Sequence, residues 1–324
     1  MGTRLMCNAA GCVVLATVFL VTTVLAALQT RSGEQAIKLE TDLVVVDATV
    51  TDKNGNFIRN LKQDDFTLYV DGAPQKLDFF EASEVAALTR PIAVVFALDI
   101  SGSIKPEEVT KQREATESFM RLVRSDSVFS VMTFNDQIRV LQDFTSDPKK
   151  INRAFSKAGE MTGSTRLFAA IGEAITLLKR APRFRDGRRL RRVMVVVTDG
   201  YGSDGFDADA LVQRAQDAET TVYSITLPSY SAGLGAGQRV MTLLDAARIV
   251  PLTGGADFSA DARDFTPVFK AIAEEIKASY TFGYYPPQRI LRDGRVHQIR
   301  IEVKRSGAIV RASRTSYKAP GKKR

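Results

Sequence analysis

Histidine is almost missing from this 324-residue chain, and tryptophan is missing altogether. The single histidine, His297, occupies a polar position of a predicted strand, where a surface residue is expected. So little imidazole argues against a zinc enzyme, against histidine acid–base catalysis and against a Ser-His-Asp triad. Cysteine is scarce as well. Cys7 and Cys12 both fall in the first few residues of an apolar N-terminal segment, so once that segment is cleaved the chain has neither disulfides nor thiol chemistry.

That segment sets the expected location. After Arg4 no charge appears until Arg31, and Gly11 to Ala27 is almost wholly apolar. Val24-Leu25-Ala26 has the spacing of a signal-peptidase site, so residues 1–26 are expected to be a signal peptide cleaved after Ala26. The rival is an uncleaved membrane anchor, since the run is nearly long enough to span a bilayer. Both readings export the remainder, making it periplasmic, secreted or cell-envelope associated. A membrane enters only through the uncleaved form.

The remainder has the balance of a soluble globular protein, 44% hydrophobic and 25% charged over the whole chain. The net charge is +8, and the excess sits in Arg183 to Arg192 and in Lys318 to Arg324. The first is expected to be a solvated loop and the second a frayed terminus, so no nucleic-acid partner is expected.

Three textures follow one another. After a polar linker over residues 27–37, residues 38–88 read as short strands with turns at Asp52–Asn56 and Asp71-Gly72: Leu43–Thr51, Phe66–Val70 and Gln75–Phe80. From residue 89 to residue 279, strands alternate with helices. Strands are predicted at Ile92–Leu98, Val128–Phe134, Ile138–Phe144, Val193–Val197 and Thr221–Leu227. Helices are predicted at Pro106–Arg124, Pro148–Ala158, Leu167–Leu178, Ala208–Ala218, Val240–Ile249 and Phe265–Ser279. Unbroken apolar strands between helices mean a parallel sheet covered on both faces. Residues 280–318 return to β, with Tyr280–Tyr285 followed by a hairpin of Val296–Lys304 and Ile309–Tyr317, and residues 319–324 form a basic tail. The expected fold is therefore α/β, a doubly wound, mostly parallel Rossmann-like sheet inserted into a smaller all-β sandwich-like module whose two halves flank it.

Ligands of such sheets sit beyond the carboxyl ends of the strands. There Ile92–Leu98 runs into Asp99-Ile100-Ser101-Gly102-Ser103. In extended backbone the spacing of two puts Asp99, Ser101 and Ser103 on one side. Converging hard oxygens suit a small divalent cation. Gly163-Ser164-Thr165 precedes a helix, and Asp199 ends the run Val193–Val197 before Gly200. Taken singly, these are ordinary helix caps and turns. Together, in this order, they favour a metal site.

The trio resembles the von Willebrand factor type A (vWA) domain over about residues 89–279. The resemblance rests on Asp99-Ile100-Ser101-Gly102-Ser103, on Thr165 within Gly163–Leu167, and on Thr198-Asp199-Gly200. It implies a metal-ion-dependent adhesion site formed by Asp99, Ser101, Ser103, Thr165 and Asp199, holding Mg2+ (or Mn2+ or Ca2+). It also implies that an Asp or Glu of a protein partner completes the coordination. The whole chain is similar to exported bacterial vWA-related proteins, through Asp65-Phe66, Asp71-Gly72, Tyr284-Tyr285-Pro286 and Arg314–Tyr317. The expected role is a binding protein rather than an enzyme. The alternatives are a metal-assisted hydrolase, for which no base is evident beside the cation, and an envelope scaffold with an incidental metal site. Other patterns are weaker. Gly233-Leu234-Gly235-Ala236-Gly237 lacks the third glycine of a dinucleotide loop and reads as a surface loop. Glu274-Glu275 reads as a solvated pair on an exposed helix face, and Tyr284–Pro287 as packing between the modules.

Overall fold

The computed structural model describes residues 43–82, 90–199, 202–205, 207–227, 248–260 and 264–321. The N-terminal segment with both cysteines, the Gly233–Gly237 pattern and nearly all of the helix expected at Val240–Ile249 lie outside these residues, as does the tail from residue 322.

In chain order the strands are β1 (Val44–Thr51), β2 (Phe66–Val70), β3 (Ala73–Gln75), β4 (Phe79–Glu81), β5 (Ile92–Asp99), β6 (Val128–Phe134), β7 (Ile138–Thr145), β8 (Phe184–Arg185), β9 (Arg188–Arg189), β10 (Arg191–Thr198), β11 (Thr220–Thr226), β12 (Asp257–Ser259), β13 (Ser279–Tyr284), β14 (Val296–Val303), β15 (Ile309–Ala312) and β16 (Ser316–Lys318). The helices are α1 (Pro106–Leu122), α2 (Pro148–Phe155), α3 (Leu167–Arg180), α4 (Ala208–Asp217), α5 (Ile249–Leu252), α6 (Thr266–Lys277) and α7 (Gln288–Leu291).

The central sheet runs β12-β11-β10-β5-β6-β7. Every neighbouring pair is parallel except β6 and β7. Its middle strand shows why both faces must be apolar. Ala93, Val95 and Ala97 pack into one core, with Leu167, Ile171 and Ile175 of α3 and Leu211 of α4. Ile92, Val94, Phe96 and Leu98 pack into the other, with Phe119 of α1, Ile151 of α2 and Phe269 of α6. Successive side chains of a strand point to opposite faces, so a strand covered twice must be apolar throughout. This is the expected doubly wound sheet. The chain leaves β5 for a helix on one face and enters β10 from a helix on the other, so the crevice beyond β5 and β10 is a topological switch point.

Eight of the remaining strands form two antiparallel sheets, β15-β1-β13-β4 and β16-β14-β2-β3, around a shared core. Phe66 and Phe282 meet edge-on within it at 4.8 Å. Strand β1 pairs with β13 from Val44↔Tyr284 to Thr49↔Ser279, so segments from the two ends of the sequence lie side by side.

Four expectations need correction here. The strand expected over Gln75–Phe80 is broken into β3 and β4, which belong to different sheets. The hairpin expected from Val296–Lys304 and Ile309–Tyr317 forms only in part. Its second half splits: β15 pairs with β1, and β16 pairs with β14. The crossing is fastened by Ser313, whose N–H donates to the Asp47 carbonyl at 2.7 Å and whose Oγ accepts from the Asp47 N–H at 2.9 Å. His297 faces inward on β14 and is only 4% exposed. Glu275 is likewise buried and ion-paired with Arg311 at 2.7 Å, while Glu274 pairs with Arg59 and Lys277.

The basic stretch Arg183–Arg192 is exposed over most of Arg183–Arg188, as expected of a solvated loop, but it is structured and its end is buried. It forms the small β8–β9 hairpin and opens β10. Arg189 pairs with Glu219, and Arg191 is 5% exposed. Arg191 Nη1 donates to Ser279 Oγ at 2.5 Å, and its Nε lies 3.6 Å from Asp47 Oδ2. Arg90, just before β5, donates from Nη1 to Asp47 Oδ1 at 2.7 Å and to Thr281 Oγ1 at 2.6 Å. A buried polar cluster thus ties the central sheet's entry and exit to β1 and β13. At the other end, the tail is held through Pro320, whose carbonyl accepts from the Gly294 N–H at 3.2 Å.

Candidate metal centre

Adjacent strands β5 and β10 end level with one another, since Leu98 pairs with Val197. The register brings Thr198 beside Asp99, and Thr198 Oγ1 donates to Asp99 Oδ2 at 2.7 Å. The other oxygen, Oδ1, accepts the Ser101 N–H at 2.8 Å. Asp99 thereby folds its own loop back and joins the two strand ends. Beyond it the hydroxyls cluster. Ser101 Oγ and Ser103 Oγ are 3.2 Å apart, and Ser103 Oγ donates to Asp199 Oδ2 at 2.6 Å across 96 residues of sequence.

A third loop closes on these two. The Thr162 N–H donates to the Ile100 carbonyl at 3.0 Å, and the Gly102 N–H to the Gly163 carbonyl at 3.3 Å. Just beyond β6, Asn135 Nδ2 donates to the Thr162 carbonyl at 2.9 Å, and the Asn135 carbonyl accepts the Arg166 N–H at 2.9 Å. Gly163 adopts φ +80°, a conformation that calls for glycine. Two residues later Thr165 is buried. Its carbonyl accepts from both the N–H and the Oγ of Ser203, at 2.7 and 3.0 Å.

Among these residues burial makes the Asp99 charge costly. Burial pushes the Asp99 carboxyl up to about 6, and neighbouring Asp199 adds to the rise; hydrogen bonds from Ser101 and Thr198 act against it. Among the described residues no three His, Cys, Asp or Glu gather as a metal cluster. The donors here are instead two carboxylates and a set of hydroxyls, all hard oxygens, which suit magnesium or calcium rather than zinc. Two ligands at adjacent corners of a magnesium octahedron lie roughly 3 Å apart. The 3.2 Å between the serine hydroxyls matches that spacing, so the residues present fit a small divalent cation.

The sequence profile of the von Willebrand factor type A domain matches residues 93–244, which span β5 to β11 and all three loops. Over those residues the fold is that of a von Willebrand factor type A domain. Domains of this kind commonly serve protein–protein interaction, are generally not enzymes, and often bind a divalent metal. Solved structures similar to this chain include an aerotolerance-related membrane protein from Bacteroides fragilis, 20% identical over 57% of this chain and 98% of that one, with a TM-score of 0.43. BatB, a conserved hypothetical protein from Bacteroides thetaiotaomicron, is 20% identical over 57% and 97%, with a TM-score of 0.42. A von Willebrand factor type A protein from Catenulispora acidiphila is 12% identical over 86% and 74%, with a TM-score of 0.47. No curated protein matches the sequence. Among the described residues no helix is long and apolar enough to cross a membrane.

Within the vWA domain the geometry joins Asp99, Ser101, Ser103 and Asp199 through direct hydrogen bonds and sets the Thr165 loop against them. Sequence reasoning did not single out Asn135, Ser203 or Asp204. Asn135 was legible only as a turn residue after β6. Ser203 and Asp204 follow Asp199 by a few positions, and nothing in their spacing says that they reach back to the start of α3.

Proposed function

We propose that this is an exported binding protein whose vWA domain uses a divalent cation to dock an acidic residue of a protein partner. The hydroxyls of Ser101, Ser103 and Thr165, with the carboxylates of Asp99 and Asp199, would hold Mg2+, or Mn2+ or Ca2+. A cation in such a mainly hydroxyl setting supplies an electron-poor position for an incoming carboxylate oxygen. The protein's own part is to hold these oxygens together and to keep Asp99 buried and occupied with Ser101 and Thr198. The observation that carries the reading is the 2.6 Å contact of Ser103 with Asp199, which joins two distant motifs beside the 3.2 Å serine pair. Export is supported by the apolar segment ahead of Ala27. A hydrolase is disfavoured because the one imidazole, His297, is engaged by Asp71 and Asp293 in the other part of the chain.

The test is affinity capture from a cell-envelope extract with magnesium and with chelator. Partners should be retained only with magnesium, and the Asp99→Ala protein should lose them. Equal capture by the parent and Asp99→Ala would refute the proposal.

A further inference from the structure

We propose that Ser203 and Asp204 are positioning residues of the metal centre, fastening the Thr165 loop to the segment that leaves Asp199. The inference rests on the reading of the centre given above and concerns how its two sides are held in register.

Helix α3 begins immediately after Thr165-Arg166, and its first N–H groups need partners from outside the helix. The residue in the capping position, Arg166, provides no side-chain cap. The cap comes from far along the chain instead. Asp204 accepts the Phe168 N–H on Oδ1 at 3.3 Å and the Ala169 N–H on Oδ2 at 2.8 Å, from 36 and 35 residues away. A carboxylate there is also favoured by the positive end of the helix. Its neighbour Ser203 grips the Thr165 carbonyl twice, through N–H and Oγ. Four hydrogen bonds therefore join the Thr165 loop to residues only four and five positions beyond Asp199. Contrast α2 and α4, which take their caps locally, from Asp147 and Asp207. A local cap would serve α3 equally well as a helix. The distant one additionally sets the spacing between Thr165 and Asp199, which approach the centre from opposite sides of the β5 loop. With the clamp in place, those donors are assembled before a cation arrives. Without it, the cation must order the two loops itself, and affinity falls.

The experiment measures Mn2+ binding to the full chain by calorimetry, together with hydrogen exchange at Phe168 and Ala169. The parent should bind and Asp199→Ala should not. Asp204→Ala should bind about tenfold or more weakly, in the range seen when residues that orient metal ligands are lost. Asp147→Ala, which removes a cap from α2, should bind as the parent does. In Asp204→Ala the Phe168 and Ala169 amides should exchange quickly without Mn2+ and recover protection when it is added. Asp204→Asn, which keeps an acceptor oxygen, serves if the alanine protein fails to fold and should fall between the two. Parent-like affinity in the Asp204 variants, with Asp199→Ala defective, overturns the clamp and leaves the centre standing. A parent that binds no Mn2+ overturns both.

Discussion

The imidazole of His297 lies between two carboxylates, with Nδ1 2.7 Å from Asp71 Oδ2 and Nε2 3.1 Å from Asp293 Oδ1, and its ring stacks on Tyr317 at 5.1 Å. Both ring nitrogens act as donors only in the protonated form. Burial alone would lower the His297 pKa, but hydrogen bonds to Asp71 and Asp293 outweigh it and raise it. The Asp71 carboxyl is lowered, chiefly by its bond to His297, and that of Asp293 is lowered, chiefly by the Arg295 N–H. The signs then follow from linkage. The histidine's contribution is complete below its unfolded pKa near 6.5 and is lost as pH rises through its higher folded value. The carboxylates' contribution is present above their ordinary range and is lost in acid. The melting temperature should therefore fall as pH rises from about 6 to 9, and His297→Gln should flatten that dependence. Because His297 is the chain's one histidine, a single imidazole NMR titration reads it directly; a midpoint below 6.5 would contradict the arrangement. Sequence position alone made this a surface residue. Its alternation along β14 placed it inward, and only the turns at Asp71 and Asp293 supplied partners that make a buried histidine tolerable.

Among elements, those facing apolar cores on both sides were legible, and those whose partners lie elsewhere were not. Strands β5 and β10 carry the unbroken apolar runs Ile92–Leu98 and Val193–Val197 because two layers of helices cover them. Helix α3 was equally plain, since Leu167, Ile171, Ala174, Ile175 and Leu178 recur at helical spacing and are all buried. The β15–β16 segment was misread because a strand's alternation does not say which sheet it joins. At Ser313 and Arg314 the chain changes sheets, and buried Arg314 donates from Nη2 to the Gln216 carbonyl at 2.5 Å, a contact no local pattern reveals. Glycine shows the same limit at the approach to β12. A Cβ on Gly255 would stand 1.8 Å from the Val222 carbonyl oxygen, and one on Gly254, at φ +75°, would stand 2.6 Å from the Ala312 carbonyl carbon. Both neighbours are backbone and cannot step aside. Gly255→Ala should destabilise the protein by about 1–3 kcal/mol or more, the cost of forced overpacking. Denaturant midpoints measure it, and a midpoint equal to the parent's would show that β11 and β12 are not packed so closely.

At the scale of the whole molecule, the central sheet and the two antiparallel sheets meet across buried charge. Burial alone would raise the Asp47 carboxyl, yet Arg90 and Arg191 outweigh it and hold the group down at about 2. Stability from this ion cluster is present above the ordinary carboxylate range and is lost only in strong acid, as pH falls through that value. Removing the carboxylate takes from buried Arg191 the larger of its two carboxylate countercharges, Glu275 being the other. Asp47→Ala should cost about 3–5 kcal/mol, as when one partner of a buried pair is deleted. It should also uncouple the two regions, so that calorimetry shows two transitions where the parent shows one. A single transition with an unchanged midpoint would mean that the cluster does not bind them together.

What the sequence by itself determined is the part of the protein written in local periodicity. It specified which runs are doubly buried strands, which are amphipathic helices, and that oxygen-bearing residues stand at the strand ends where a doubly wound sheet leaves a crevice. These follow from backbone geometry and burial, which act over a few residues. Tertiary structure alone decided which distant groups meet. The Asp71 partner of His297, the burial of Glu275 and Arg191, the change of sheet at Ser313 and the reach of Asp204 to α3 all depend on partners 35 to 266 residues away, or on segments converging from several parts of the chain. A polar side chain is hydrated or buried according to whether such a partner arrives, and that is settled by the packing of the whole chain.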